Sequence, residues 1–381
     1  MKYILLHCED RARDTDHVIT LLEGARVSHL QQLAQAGCAG MLRYHPQGSG
    51  GGQLDLHRAL FGLKPSDRDA APGHCYAASA KVPLGAEDTA WCCELMTQQE
   101  GQIIDPTAGN ISTRESRSLL QALNQHLGSA TRRWELGEGS HHLLIITRDA
   151  ALEPDGSVVV RAPELLVGKA WRHCLPKGPL GEAVRELIEQ AVQILETHAV
   201  NRVRVDLGEN PANALWLWGW ARGEPVRTFT ERHGLSGVIL SSEFVVQGFA
   251  KAFGLGWLAA PDSFDVEALR RLREEIQALI STHDVVYVHL TIESDQPVER
   301  LCAMERIDQV VLKPLTELLP QAEPWRLLVA VDNRRTGTVP FVAMGEGLSQ
   351  QPVALLDEQH LAESPLVFHD GAELFSWWTT R

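Results

Sequence analysis

Val285-Val286-Tyr287-Val288-His289 is a short apolar run between two longer helical patterns, one over residues 264–280 and the other over residues 303–319. A run of this length and composition predicts a buried β-strand. Similar apolar runs occur at Val238–Leu240, Leu327–Val331 and Phe341–Met344. Buried strands that alternate with helices are typical of a mostly parallel sheet with helices on both faces. The sequence therefore predicts an α/β fold.

The beginning of the chain predicts the same kind of unit. Tyr3–Leu6 is an apolar run, and a helical pattern of apolar residues follows over residues 18–34. Residues 66–90 are polar and irregular and contain Pro72 and Pro83, which is typical of a crossing between domains. A chain of 381 residues is long enough for two domains.

Two local patterns in the middle of the chain give further expectations. Ser112-Thr113-Arg114-Glu115 predicts a capping box at the start of a helix. Trp216, Trp218 and Trp220 occupy alternate positions, so in a strand they would share one face. We interpret this row as packing, although it could also stack a ligand ring.

The charge balance excludes some partners. The chain has 35 basic and 49 acidic residues, a formal net charge of −14, so a nucleic acid would be repelled. No apolar run approaches the roughly 20 residues needed to cross a bilayer. The first residues become polar at His7, which is too early for a secretory signal. We therefore expect a cytoplasmic protein that binds neither nucleic acid nor membranes.

The cysteines predict reduced thiols that serve in packing. There are seven of them, an odd number, and none is arranged as a C-x-x-C pair. Cys92 and Cys93 are adjacent and would point to opposite faces of a strand, which argues against a shared metal ion.

A glycine-rich segment, Gln47-Gly48-Ser49-Gly50-Gly51-Gly52-Gln53, precedes the apolar stretch Leu54–Leu63. Such a segment before a helix can bind phosphate through free backbone N–H groups. The Gly-Lys-Ser/Thr ending of a P-loop does not occur here. A flexible surface loop is the other interpretation of this segment.

Several phrases along the chain carry a family resemblance when they are taken together. They are Ile103-Ile104-Asp105, Gly109-Asn110-Ile111-Ser112-Thr113, Gly139-Ser140-His141-His142, Leu175-Pro176-Lys177-Gly178, Asn210-Pro211-Ala212-Asn213, Leu215-Trp216-Leu217-Trp218-Gly219 and Glu305-Arg306-Ile307-Asp308. In this order the chain resembles the archaeal-type cofactor-independent phosphoglycerate mutases of the alkaline-phosphatase superfamily, including a bacterial branch once proposed to be homoserine kinases. The resemblance implies an alkaline-phosphatase-like core over residues 1–70 and 212–381. It also implies a smaller inserted α/β domain over residues 71–211, with the site in the cleft between the two.

The resemblance implies a site of two divalent metal ions and a serine that takes up the phosphoryl group. The first family ligand is an aspartate followed by glycine, and Glu9-Asp10 stands at that place. Either carboxylate could be the ligand, since one is a methylene longer and the other is displaced by one residue. Ser49 is the candidate nucleophile, whereas counting without gaps puts Gln53 at that position.

The other expected metal ligands are only partly present. Asp295 lies in the loop where the family has an aspartate and a histidine, but no histidine follows it before the next helix. Near the C-terminus the family has an Asp-His pair, and this chain has Asp332-Asn333. Asp295 and Asp332 are therefore the remaining candidates at these two places.

The substrate-binding groups of the family are also altered. Cys92 and Glu94 stand where the resemblance expects an arginine and an asparagine, and Gln247 stands where it expects a lysine. The expected Arg-His pair corresponds to His141-His142, which makes His142 a candidate substrate-binding residue. The lost cationic groups would neutralise the phosphate and carboxylate of a phosphoglycerate.

These losses lead to two hypotheses and leave a third open. The first is a catalytically impaired relative that needs no cofactor and binds a small phosphorylated or acidic metabolite or a protein partner. The alternative is an active phosphoglycerate mutase or related phosphotransferase that uses Mn²⁺ or Mg²⁺ and Ser49. A rebuilt site would draw its carboxylates from Glu9, Asp10, Glu293, Asp295 and Asp332. A purely structural protein is the third possibility, and His142 and His289 are interpreted as structural histidines because both lie in apolar runs.

Overall fold

The structure is a computed structural model that describes residues 1–11, 19–44, 52–64, 66–154, 158–319, 323–332 and 337–380. The strands among these residues are β1 (Lys2–Arg11), β2 (Cys38–Arg43), β3 (Asp88–Gln99), β4 (Gln102–Asp105), β5 (Arg132–Glu138), β6 (His141–Thr147), β7 (Ala214–Arg222), β8 (Gly237–Leu240), β9 (Gly256–Leu258), β10 (Val285–Glu293), β11 (Trp325–Asp332), β12 (Thr338–Gly345) and β13 (Val367–Phe368).

Helices cover both sheets. They are α1 (Leu21–Gly24), α2 (Ser28–Ala36), α3 (Gln53–Leu60), α4 (Pro72–Ala80), α5 (Thr113–Leu127), α6 (Pro179–Glu196), α7 (Ala199–Asp206), α8 (Phe229–His233), α9 (Phe244–Ala252), α10 (Val266–Thr282), α11 (Pro297–Arg306), α12 (Lys313–Leu318), α13 (Glu358–Ala362) and α14 (Gly371–Thr379). A π-helical turn, Ile307–Leu312, joins α11 to α12.

The larger sheet has eight strands in the order β13-β2-β12-β11-β1-β10-β8-β9. Its central strand β1 pairs in parallel with β10 on one side and with β11 on the other. Within this sheet only β12 runs against its neighbours. The predicted α/β fold class with a mostly parallel sheet is therefore confirmed. The carboxyl ends of β1, β8, β10 and β11 consequently meet at one edge.

The smaller sheet is antiparallel. It is built around β3, which pairs with β4, β6 and β7, while β5 pairs with β6. Strand β7 begins at Ala214 and so extends this sheet beyond residue 212, where the core was expected to resume. The domain limits given above stay a prediction.

Residues of β1 enter two different apolar cores because side chains alternate along a strand. Tyr3 and Leu5 belong to one core, and Ile4, Leu6 and Cys8 belong to the other. The first of these cores continues without interruption into the smaller sheet. The two sheets are therefore joined by shared apolar packing.

Helices α4 and α9 form a close contact beside the smaller sheet. A Cβ atom at Gly248 would lie 1.9 Å from the carbonyl oxygen of Cys75, so only glycine permits this approach. Next to it, Ser79 Oγ lies 2.9 Å from the carbonyl oxygen of Phe244 and 2.9 Å from Oε1 of Gln247. Gln247, where a lysine was expected, thus lies in the contact between these helices.

The expectations for the capping box and for the packing of the tryptophans are confirmed. Ser112 and Glu115 form a capping box at the start of α5. Trp216 and Trp218 are buried in the core, and their indole N–H groups donate to the carbonyl oxygen of Arg161 and to Glu94. All seven cysteines lie among the described residues and are free thiols. A bilayer-spanning helix does not occur in the part of the chain that the structure describes.

Asp308 in the π-helical turn holds the start of α2. Helix α2 receives no capping hydrogen bond from the side chain of Val27, the residue that precedes it. Instead the buried Asp308 carboxylate accepts hydrogen bonds from the backbone N–H groups of His29 (3.1 Å) and Leu30 (2.8 Å). It also lies 3.1 Å from Nδ1 of His29. One side chain therefore satisfies donors that would otherwise be left at a helix N-terminus.

We predict that Asp308→Ala lowers the free energy of unfolding by about 3 kcal/mol, because buried donors would lose their acceptor. Chemical denaturation monitored by circular dichroism would measure this loss. The matched control is Asp265→Ala, which removes an exposed cap of α10 and should cost much less. Equal losses in the two variants would contradict the role given to Asp308.

Candidate functional site

Charged side chains converge at the carboxyl ends of the central parallel strands, where open α/β sheets bind their ligands. Glu9, Asp10 and Arg11 end β1, and Asp332 ends β11. His289 lies in the middle of β10, opposite His7 of β1. This edge of the larger sheet is the candidate site.

Glu9 is central to the site. It is 1% exposed, and its Cα pairs with that of Asp332 on the neighbouring strand, so the two side chains share one face of the sheet. Its Oε2 lies 2.9 Å from Nε2 of His289. Its two oxygens also accept hydrogen bonds of 3.3 Å from Nε and Nη2 of Arg11.

Arg11 connects two carboxylates. In addition to its hydrogen bonds with Glu9, Arg11 forms an ion pair with Glu243, the residue before α9. The distance from Arg11 Nη2 to Glu243 Oε2 is 2.9 Å. Burial alone would lower the pKa of Arg11, but Glu9 and Glu243 outweigh it and raise this pKa. Burial would raise the pKa of Glu243, and the nearby guanidinium of Arg11 lowers it instead. Both partners are therefore held in their charged forms.

Asp10 belongs to the opposite face of β1, because successive residues of a strand point to opposite sides. There it forms an ion pair with Arg300 of α11, and both side chains are almost fully buried. The sequence left open whether Glu9 or Asp10 replaces the family's first ligand. Of the two, Glu9 is the one that shares a face with Asp332.

Three histidines lie beside Glu9. His7, His57 and His289 are each 1% exposed, and each offers one ring nitrogen within 4.8 Å of the others. His7 and His289 are paired across β1 and β10, and α3 supplies His57. The hydroxyl of Tyr287 lies 2.8 Å from Nδ1 of His7 and 2.7 Å from Nδ1 of His57.

A second polar cluster lies where the family's substrate-binding groups were expected. Buried Glu94 accepts a 2.5 Å hydrogen bond from the hydroxyl of Tyr76 and a 3.3 Å bond from the indole of Trp218. Nδ1 of His141 lies 2.8 Å from Glu94. Burial would lower the pKa of His141, but the Glu94 carboxylate raises it. The cluster thus pairs the Glu94 carboxylate with a histidine that favours its charged form.

His142, the candidate substrate-binding residue, is placed differently. It is fully buried within the smaller sheet, and its Nδ1 accepts a 3.2 Å hydrogen bond from the N–H of Gly137. Burial and the neighbouring His141 lower the pKa of His142 to about 3. His141, rather than His142, contacts Glu94, because adjacent strand residues point to opposite faces. A role of His142 in substrate binding stays a prediction.

The remaining predicted residues are not all brought together. Ser49, like most of its glycine-rich segment, lies outside the described residues. Asp295 is exposed in the turn between β10 and α11, and Glu293 is exposed at the end of β10. Glu9, Asp10 and Asp332 are buried. The roles of these residues as metal ligands stay predictions.

Sequence reasoning did not single out five of the residues that build this site, namely His7, Arg11, His57, Glu243 and Arg300. The sequence does contain a signal for His7 and His57. Both are polar residues within apolar stretches, and such stretches predict burial, which the structure shows for both. For Arg11 and Arg300 the sequence gives no such signal. Their partners become visible only when the strands are paired.

Three carboxylates of this site form ion pairs with guanidinium groups of the chain. Mg²⁺ and Mn²⁺ require several oxygen ligands with available negative charge. Glu9 and Glu243 share the guanidinium of Arg11, and Asp10 is paired with Arg300. The positive charge at these three carboxylates is therefore supplied by the protein itself.

The fold and the site define an α/β protein whose charged residues cluster at the carboxyl ends of central parallel strands. A family model described as 2,3-bisphosphoglycerate-independent phosphoglycerate mutase matches residues 34–201. An enzyme of that name from Methanosarcina acetivorans is 30% identical over 323 residues, covering 82% of this chain and 80% of the relative. A second enzyme of that name, from Methanothermobacter thermautotrophicus, is 30% identical over 364 residues. The match covers 91% of this chain and 89% of that relative.

The solved structure of a cofactor-independent phosphoglycerate mutase from Thermoplasma acidophilum has a similar fold. It superposes with a TM-score of 0.58 at 21% identity and covers 99% of both chains. This protein therefore belongs to the 2,3-bisphosphoglycerate-independent phosphoglycerate mutase family. The resemblance described from the sequence is confirmed.

We predict that Arg300→Met lowers the free energy of unfolding by about 3–5 kcal/mol, because Asp10 would remain as a buried charge without its cation. Urea denaturation would measure the loss. The double variant Asp10→Asn/Arg300→Met should recover most of it, since neither charge of this buried pair then remains. Arg172→Met, which breaks an exposed ion pair with Glu189, is the control and should have a small effect.

The raised pKa of His141 predicts a pH dependence that requires Glu94. Since the folded-state pKa lies above the unfolded value of about 6.5, the His141–Glu94 pair stabilises the fold fully below that pH. This stabilisation is lost as the pH rises through the raised pKa. The difference in unfolding free energy between wild type and Glu94→Gln should therefore shrink as the pH rises above about 6.5. Exposed Glu100→Gln is the control, and a pH-independent difference for Glu94→Gln would contradict this assignment.

Proposed function

We propose that this member of the family does not interconvert phosphoglycerates and instead acts through binding at its cleft. The observation that carries the proposal is the pair of arginines at the site. Arg11 and Arg300 neutralise Glu9, Glu243 and Asp10 at the strand ends where the family resemblance expects metal ligands.

A guanidinium group balances the charge of a carboxylate but does not replace a catalytic metal ion. It stays protonated at all accessible pH values and has no open coordination position. A divalent ion lowers the pKa of a bound hydroxyl and clamps the oxygens of a transferring phosphoryl group. Arg11 and Arg300 can therefore maintain the packing of the ancestral site without its chemistry.

The second polar cluster supports the same proposal independently. Glu94 stands where the resemblance expects an amide, and its carboxylate is buried beside Tyr76 and His141. Cys92 stands where it expects a guanidinium, and it is a buried thiol 3.6 Å from the carbonyl oxygen of Gly219. Burial, followed by the charge of Glu94, raises the pKa of Cys92 well above its usual value. These two positions thus offer no cation to a phosphate.

Among the described residues at the strand ends, carboxylates outnumber guanidinium groups. Glu9, Asp10, Glu243 and Asp332 lie near Arg11 and Arg300. We propose a small metabolite or a protein partner as the ligand of this charged edge.

An active metal-dependent mutase is the second candidate, because the relatives in Methanosarcina acetivorans and Methanothermobacter thermautotrophicus carry that name. It would require Glu9 and Asp332 to act as metal ligands together with Ser49 as the nucleophile. The two candidates differ in one measurable property, which is turnover that depends on added metal.

We expect no interconversion of 3-phosphoglycerate and 2-phosphoglycerate above background in the presence of excess Mn²⁺ or Mg²⁺. An enzyme-coupled assay on the purified protein would measure this. The Methanosarcina acetivorans relative serves as the positive control for the assay. Asp332→Asn should behave as wild type, because no reaction depends on that carboxylate. Metal-dependent turnover that Asp332→Asn abolishes would establish the second candidate instead.

A further inference from the structure

We infer that His7, His57 and His289 form a binding site for one transition-metal ion of the zinc class, with Glu9 as a fourth ligand. The three rings come from β1, α3 and β10, and one ring nitrogen of each lies within 4.8 Å of the others. All three are 1% exposed, so the site is shielded from water. This inference does not depend on the proposed loss of mutase activity, because metal binding is measured without a substrate.

The donor set determines which metals would bind. Imidazole nitrogen suits Zn²⁺, Co²⁺, Ni²⁺ and Cu²⁺, whereas Mg²⁺ and Mn²⁺ favour carboxylate, carbonyl and water oxygen. Three imidazoles bind Zn²⁺ in known tetrahedral sites, and a carboxylate oxygen is also a zinc ligand that can take the fourth position. This donor set therefore favours one transition-metal ion over Mg²⁺ or Mn²⁺.

Each of the three rings is oriented by a hydroxyl group on its Nδ1 side. The hydroxyl of Tyr287 lies 2.8 Å from Nδ1 of His7 and 2.7 Å from Nδ1 of His57. Oγ of Ser241 lies 3.0 Å from Nδ1 of His289. Histidines that ligate metals generally donate their other ring N–H to a nearby oxygen, which fixes the tautomer and the ring. When Nδ1 carries the proton in this way, Nε2 becomes the ligand atom.

Both hydroxyl oxygens can accept the hydrogen bonds that this arrangement requires. A phenol oxygen can accept while its own proton points elsewhere, so Tyr287 can receive Nδ1–H from both His7 and His57. Ser241 Oγ accepts a 3.1 Å hydrogen bond from the N–H of Glu243 and can also receive Nδ1–H of His289. Two side chains that lie outside the ligand set thus position all three rings.

Glu9 completes the ligand set. Its Oε2 lies 2.9 Å from Nε2 of His289, which is close to the separation of neighbouring ligand atoms around one tetrahedral ion. An ion at this place takes the position of the proton that now lies between the two atoms. Around a tetrahedral ion, Zn–N bonds of about 2.0–2.1 Å place the ligand nitrogens about 3.4 Å apart. The three nitrogens now lie within 4.8 Å of one another, so the rings must approach each other by up to about 1.4 Å when the ion binds.

Metal binding to tag-free protein tests this assignment. The protein is stripped with a chelator, dialysed against Zn²⁺ and measured by plasma mass spectrometry, and we expect about one ion per chain. Replacement by Co²⁺ should give the visible absorption of a tetrahedral complex, and Zn²⁺ should raise the melting temperature. A zinc content far below one ion per chain, or the absence of that absorption, would overturn the assignment.

Variants separate this site from adventitious binding by other histidines. His57→Asn should abolish stoichiometric binding, and Tyr287→Phe should weaken Zn²⁺ affinity about 10–100-fold, because it removes the group that orients two ligands. His233→Asn changes a histidine outside the site and should bind as wild type. Thermal unfolding without metal establishes that each variant is folded. Unchanged affinity in folded His57→Asn, or tighter binding of Mn²⁺ than of Zn²⁺ by wild type, would contradict the inference.

Discussion

The in-register parallel pairing of β1 with β10 and β11 is the constraint on which the rest of the site depends. It sets His7 beside His289 on one side and Glu9 beside Asp332 on the other. Because parallel strands bring their carboxyl ends to one edge, residues almost 300 positions apart in sequence come into direct contact there. A shift of one residue in β1 would exchange Glu9 and Asp10 between the faces of the sheet, and both ion-pair systems would be lost.

Burial of several carboxylates in one place is costly unless opposite charges accompany them. In this chain Arg11 and Arg300 provide such charges from positions near the end of β1 and in α11. The guanidinium groups are part of the folded chain, so this compensation is present whenever the protein is folded. A site that depends on a bound ion gains its compensation only when the ion is present. The folded chain therefore balances these buried carboxylates without a bound ion.

The sequence predicts the fold much better than it predicts the site. Apolar runs such as Val285–His289, separated by helical patterns, are sufficient for the α/β class, because each pattern is local. Strand β7 illustrates the limit, since nothing within Ala214–Arg222 indicates that it pairs with β3 in the antiparallel sheet. The same limit applies to the partnership of Asp10 with Arg300, which lie 290 residues apart. Glu9 and Asp332 could be nominated because the family phrases mark their positions, whereas His57 has no such mark.

The close contact between α4 and α9 limits how an ion bound at His7, His57 and His289 could exchange with solvent. The fit of Gly248 against the backbone at Cys75 interlocks the two helices, and one continuous core joins both sheets. Interlocked packing of this kind resists sliding or rotation, because close-packed interiors have few alternative arrangements. Rotation of the two sheets about a hinge would break this packing. Exchange at the histidines must therefore proceed through local fluctuations, so an ion held there would leave slowly even if its equilibrium affinity were modest.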